Sequence, residues 1–471
     1  LRGEKLSDND SLVSLHQASG ELIVEPGDLA GLEFDNLSAH FRLLEQDWQN
    51  PRLEIDSISV NWEESNAKIS GTLPLTNQKE KTIEIPQIDI TGSANGNFAG
   101  WLPRLTDSFS SPAGNGQIDF SLGGPIDSPK LTSAKIKLSG GGFKADDIVR
   151  KVSSLAIDIQ LDSLGKIHID QLEGKIDGQW IRVSNRFPEP GDTTQTIRFS
   201  DYDMGVLGIQ TDDDGVWAVI PSLMEDEWGG YISISGKSKN QPFEIFGPAS
   251  KPYATGKLGL RKTTFTYPFI EGSGNEMSTF QNELLDLLAR INWDVTIVPQ
   301  WDCRYINEIS GLKDIPLFET LQKNISSALF DFDVKLYLDI QIDEENSYLN
   351  FNGAVEDTFR LNGEISANRG SVEYLDLNFE VQQVGLRMNS AEFNPILSGA
   401  AATTVYDSTG IPREVRLVIR NSAIVSEENN DPLNLANGSG WDEISLIFED
   451  DQGHSQEQIL AMMGYAPDQL S

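Results

Sequence analysis

Apolar residues recur at every second position over much of this chain. That period constrains the fold more than any other feature, because side chains of an extended strand alternate between two faces. Leu155-Ala-Ile-Asp-Ile-Gln-Leu161 puts Leu155, Ile157, Ile159 and Leu161 on one side. The stretch 332–342 puts Phe332, Val334, Leu336, Leu338, Ile340 and Ile342 on one side, and Asp, Lys, Tyr, Asp and Gln on the other. Ile118-Asp-Phe-Ser-Leu122, Trp293-Asp-Val-Thr-Ile297 and Val415-Arg-Leu-Val-Ile419 alternate likewise, the last with Val415, Leu417 and Ile419 on one face. Such strands carry one apolar and one wet face. The stretch 53–62 alternates, slips by one residue at Ser57 and alternates again, which predicts a β-bulge. Asn95-Gly96, Asn115-Gly116, Asp177-Gly178, Asn352-Gly353 and Asn362-Gly363 read as turns between strands. No run of βαβ units appears, so the body is antiparallel or solenoid-like β rather than doubly wound.

Helical spacing is confined to islands. Residues 275–291 carry Phe280, Leu284, Leu287, Leu288 and Ile291 at helical spacing, and residues 314–329 carry Phe318, Leu321, Ile325 and Leu329. These flank the strand at Trp293 and read as one inserted helical element, packed on the sheet or lying as a lid over a groove. Ser455-Gln-Glu-Gln458 has the form of a capping box ahead of Ile459, Leu460, Met462 and Met463. One local pattern recurs three times. Gly124-Pro, Gly247-Pro and Gly353-Ala each open a turn, and an alternating strand begins nine or ten residues later. This suggests a repeating turn-plus-strand architecture.

Of 471 residues, 36 are basic and 72 acidic, a net charge of -36. Nucleic-acid affinity comes mostly from Lys and Arg neutralising phosphates, so nucleic acid is excluded as a partner. The charge keeps a long strand-rich body soluble, and a saline habitat produces the same excess. The single cysteine, Cys303, makes neither an internal disulfide nor a zinc site. No run of about 18 apolar residues reads as a membrane helix. The chain starts without Met and in mid-pattern, and reads as a piece of a longer protein with its targeting segment upstream. The histidines, His16, His40, His168 and His454, do not stand at metal-ligand spacing. No nucleophile elbow, Walker loop or dinucleotide fingerprint is present. Asp212-Asp-Asp-Gly215 lacks the Ca²⁺-loop spacing and reads as an acidic turn. The reading is therefore non-enzymatic, with no cofactor and no metal.

In the C-terminal third the residues become specific. Leu361-Asn-Gly-Glu-Ile-Ser-Ala-Asn-Arg-Gly-Ser-Val-Glu-Tyr374, then Phe393-Asn-Pro-Ile-Leu, Ile444-Ser-Leu-Ile-Phe and Glu457-Gln-Ile-Leu-Ala-Met-Met-Gly464 follow in order. This order resembles the C-terminal region of the TamB family (translocation and assembly module), within the AsmA-like bridge-like lipid transfer proteins. The clear resemblance covers roughly residues 245–464, and residues 1–244 match in style. The insert near 275–330 departs from the family pattern. The resemblance implies a long sheet curled into an open taco with an apolar trough, attached to the inner membrane by an N-terminal segment missing from this sequence. It implies a periplasmic location and docking on an Omp85-type, TamA-like outer-membrane barrel. It also implies outward transport of phospholipids, or assistance to barrel and autotransporter assembly.

The expected organisation is a β-groove segment over 1–270, a helical insert around a strand over 271–330, a second β-groove segment over 331–450 and a C-terminal helix over 451–471. About 30 strands at about 4.8 Å would span about 140 Å. Two chains of about 16 carbons cost about 25 kcal/mol to hydrate, and an apolar trough removes most of that while headgroups stay wet. The expected wall is Leu155, Ile157, Ile159, Leu161, Phe332, Val334, Leu336, Leu338, Ile340, Ile342, Val415, Leu417 and Ile419. Bare edge strands invite strand addition, so barrel docking is expected at Ile444, Leu446 and Phe448. Two rivals stand beside the conduit. One is an assembly chaperone whose edge templates nascent barrel strands, and the other is an extracellular β-solenoid adhesin or polysaccharide-acting protein with a filled core.

Overall fold

The computed structural model describes residues 17–29, 32–44, 52–62, 65–75, 87–97, 110–145, 149–218, 229–238, 240–265, 289–309, 336–354, 360–390, 396–421, 439–440 and 444–465. The protein is mostly β and divides into two compact units. One comprises Leu1–Ile209 and Ile245–Ala249, and the other Gln210–Glu244 and Ser250–Ser471.

Unit 1 contains β1 (Gln17–Val24), a small hairpin of β2 (Gly27–Leu29) and β3 (Leu32–Phe34), then β4 (Asn36–Leu44), β5 (Arg52–Trp62), β6 (Ser65–Pro74) and β7 (Gln87–Gly96). The long strands β8 (Ser110–Pro125), β9 (Lys130–Ala145) and β10 (Val149–Leu161) follow, then β11 (Ile167–Ile176), β12 (Gln179–Arg186), β13 (Ile197–Phe199) and β14 (Tyr202–Thr211), which runs into unit 2. From β1 and β4 through β12 each strand pairs antiparallel with the next. The slip at Ser57 is a bulge: Asp56 and Ser57 together face one residue of β6, between the pairs Ile55–Gly71 and Ile58–Ile69.

Unit 2 contains β15 (Val216–Ala218), β16 (Gly230–Ser235), β17 (Phe243–Phe246, shared with unit 1), β18 (Tyr253–Arg261), β19 (Thr264–Phe265), β20 (Asn292–Trp301) and β21 (Arg304–Ile309). Next come β22 (Leu336–Ile342), β23 (Tyr348–Ala354), β24 (Arg360–Tyr374), β25 (Leu377–Ser390), β26 (Ile396–Tyr406), β27 (Pro412–Asn421), β28 (Ser439–Gly440) and β29 (Ile444–Asp450). The pairs β18–β20 and β19–β21 are parallel, so this sheet is mixed rather than purely antiparallel. The long strand β24 is shared: its first half pairs with β23, its second half with β22, and its other edge with β25. The ladder then runs through β26 and β27 to β29.

The turn reading needs correction. Of the five Asn-Gly and Asp-Gly pairs, only Asp177-Gly178 forms a two-residue hairpin turn, with φ of 49° and 88° and Ile176 paired with Gln179. Asn115-Gly116, Asn352-Gly353 and Asn362-Gly363 lie inside strands, and Asn95-Gly96 ends one. At Gly363 the reason is close approach: φ is +155°, and a Cβ there would stand 2.2 Å from the Tyr348 carbonyl oxygen across the ladder. The hairpin between β24 and β25 turns instead on Leu375-Asp376, both at positive φ. The three glycines of the recurring pattern all have positive φ, 100° at Gly124, 92° at Gly247 and 86° at Gly353.

The helix α1 (Gln456–Met462) starts where the capping box predicts, with Ser455 as N-cap and Gln458 closing the box, and it buries Ile459 and Leu460. The two other helical islands lie outside the described residues, apart from Ala289–Ile291. Among the described residues no helix is long and apolar enough to cross a membrane.

Candidate functional site

Register decides which side chains share a face, because residues paired across a ladder project on the same side. In unit 1 the pairings join into rows that cross the strands. One row runs Val24, Leu37, Val60, Ala67, Ala94, Ile118, Ile136, Ile159 and Ile169 over β1 and β4 to β11. The row beside it runs Leu22, Ala39, Ile58, Ile69, Gly92, Phe120, Ala134, Leu161 and Ile167 over the same nine strands. Eight strand spacings make each about 38 Å long. The intervening row faces the other way and is polar from Ser38 through Ser59, Lys68, Ser93, Asp119, Lys135 and Gln160 to His168.

The aliphatic rows are not a closed core. None of the first row is buried, and Ile136 is 37% exposed. In the second row only Ala39, Gly92 and Leu161 are buried, and Leu22 is exposed. Among the described residues, the substantial contacts of this ladder run between neighbouring strands, apart from the β3 edge beside β5. The ring of Phe120 lies over Gly92, where a Cβ would come within 2.4 Å of it, so the glycine lets an aromatic ring lie flat on this face. The polar face holds a concavity of about 600 Å³ lined mainly by Lys68, Ser70, Thr91, Ser93, Asp119, Ser121, Ser133, Lys135 and Gln160. Hydroxyl and charged groups on that side favour water over hydrocarbon.

The expected wall residues divide. Leu155, Ile157 and Ile159 are half-buried and Leu161 is buried on the aliphatic face of unit 1. Phe332 and Val334 lie outside the described residues, and Leu336 begins β22. Leu338 and Ile340 pack against a core of Phe379, Val381, Tyr374, Phe448, Ile459 and their neighbours, which also contains Val415 and Leu417. Ile342 belongs instead to a core with Ile232, Leu260 and Cys303. Val415 is fully enclosed, and Ile419 is half-buried in the row Ile342, Ala367, Val384, Gly399, Ile419 and Leu446. Near the C-terminus the apolar face is therefore sealed by α1, with Ile459 and Leu460 over it.

The expected docking residues Ile444, Leu446 and Phe448 lie on the strand that ends the ladder among the described residues, paired with Asn421, Ile419 and Leu417. The Phe448 side chain is buried in the core, so only its backbone is available to an edge partner. That backbone is held by a residue the alternation does not reveal. The Phe448 N–H donates to Gln456 Oε1 (2.9 Å), and Gln456 Nε2 donates to the Phe448 carbonyl. The turn before α1 is organised by Asp450, whose enclosed carboxylate accepts the Gln452 and His454 amides and contacts His454 Nδ1. Burial pushes the Asp450 carboxyl upward, but those hydrogen bonds outweigh it and hold the group below the ordinary carboxylate range. Cys303 is a packing residue. Its thiol donates to the Leu260 carbonyl (3.1 Å), and burial pushes its pKa up, away from reactivity. Among the described residues no cluster of three or more His, Cys, Asp or Glu could hold a metal.

These features define a class: an open, strand-rich scaffold that displays a long aliphatic face in one unit and, among the described residues, ends its other ladder on an edge strand. The sequence then narrows the class. Residues 214–427, just under half of the chain, match the family model of the TamB C-terminal domain, which supports a TamB-family C-terminal part. It supports a role in the cell envelope. No curated protein and no solved structure matches the chain.

Proposed function

We propose that this chain is part of a periplasmic bridge that moves phospholipids between inner and outer membranes, with acyl chains against the aliphatic face of unit 1 and headgroups in water. The observation that carries this reading is the pair of aliphatic rows crossing nine strands, half-exposed, with a polar row on the reverse. Each buried CH₂ contributes about 0.8 kcal/mol, so such a face holds a chain without directional bonds. Neighbouring positions along it are then nearly equal in energy, and a lipid slides. The role is non-enzymatic and needs no cofactor. The outer end docks on an Omp85-type barrel by strand addition at β29, and an inner-membrane segment lies upstream of this sequence. Transfer of a labelled phospholipid between vesicles tests it. Ile118→Arg puts a charge in the first row and should abolish transfer with the fold intact. Undiminished transfer by that folded variant would count against the reading.

A second reading is favoured by the β29 edge itself: an assembly chaperone that templates nascent barrel strands. It requires no bound lipid, which separates the two.

A further inference from the structure

β27 pairs with β29 on one side, and among the described residues no ladder joins a strand to the other side of β29. In an antiparallel ladder the N–H and C=O of successive residues point alternately to the two neighbours. Those of Phe448 point away from β27, because Gln456 binds both. By alternation those of Leu446 and Ile444 point the same way. A primary amide carries one acceptor and one donor at the spacing of a peptide group. Gln456 thus stands where the peptide of one further strand would lie.

We propose that the outer edge of β29 over Ile444–Phe448 accepts an extended strand of a partner protein, and that Gln456 is the latch this strand displaces. The latch rests on the docking reading above. Release needs only rotation of the Gln456 side chain, because α1 is held separately by Ile459 and Leu460 in the core, by the capping box and by the Asp450 turn. Register sets the partner's chemistry. Residues beside Leu446 and Phe448 would extend the rows through Ile419 and Leu417 and must be apolar. The residue between them would stand beside Ile447, in the row through the buried Val418, and must be apolar too, whereas the residue beside Glu449 joins the Arg416–Glu449 pair and must be polar. The edge segment is acidic at both ends in sequence, Asp442-Glu443 and Glu449-Asp450-Asp451, so the fitting strand carries basic residues. A second copy of β29, paired antiparallel, would set these acids against each other.

A fluorescent peptide with the sequence of β27, Pro412–Asn421, is a suitable probe. It already pairs with β29 from the inner side, with Arg416 and Glu449 3.6 Å apart. Its binding to the whole chain is read by anisotropy, with chain mass followed by sedimentation. Removing both latch bonds should tighten binding about tenfold or more in Gln456→Ala. Gln456→Glu keeps the acceptor but not the donor and should fall between. Hydrogen exchange at the Phe448 amide should rise in Gln456→Ala and drop when peptide is added. Equal binding by all three proteins would overturn the latch and leave the docking edge standing. No binding by any of them would overturn the edge as well. Dimerisation of Gln456→Ala without peptide would show that the occupant is a second copy and overturn the partner assignment.

Discussion

Ile136 and Phe379 are both apolar residues on strands, yet they do opposite work. Phe379 is fully enclosed, within 6.1 Å of Phe448 ring to ring, and Phe379→Ala should cost unit 2 about 3–5 kcal/mol, read as a drop in the denaturation midpoint. Ile136 is 37% exposed in an aliphatic row, so Ile136→Glu should cost less than about 1 kcal/mol while removing lipid binding. Tyr374 gives a test of the C-terminal core by pH. Burial disfavours its phenolate and pushes its pKa up to about 12. A folded pKa above the unfolded value of about 10 means that the contribution is complete below pH ~10 and is lost as pH rises toward about 12, by about 3 kcal/mol. Denaturation midpoints across that window should fall steeply for the native chain and much less for Tyr374→Phe. Residues such as Ile118 and Ile159 declare their face in the sequence by alternation. Ala67, Ala94 and Gly92 do not, because small side chains carry little apolar signal, and only their pairing places them in the rows.

At the scale of elements, alternation located the strands, and the slip at Ser57 located a bulge. It did not say which faces stay open. The stripe from Leu336 to Ile342 looks as open in sequence as that from Leu155 to Leu161. Yet Leu338 and Ile340 pack on one core and Ile342 on another, since coverage comes from elements distant in the chain. For that reason Ile340→Glu should destabilise unit 2 rather than leave a folded, blocked groove. Glycine inside a strand was equally opaque: Asn-Gly reads as a turn, but Gly363 sits where two backbones nearly touch. Gly363→Ala should break the β23–β24 pairing at a cost of more than about 1 kcal/mol, visible as faster amide exchange in β23. The helix α1 was the reverse case. Its capping box is local and gave its start correctly, whereas the contact from Gln456 to Phe448 spans eight residues and a turn, and no local pattern encodes it.

For the whole molecule, the conduit reading requires that hydrocarbon, rather than protein, cover the aliphatic rows of unit 1. The charge of -36 fits a body kept soluble while such a face is displayed. The most direct measurement is lipid extraction and mass spectrometry of the folded chain purified from a bacterial envelope, beside Ile118→Arg and Ile136→Glu. The predicted result is phospholipid bound to the native chain and lost from both variants, with strand content unchanged. A folded native chain free of lipid, or variants that retain as much as the native chain does, would contradict it.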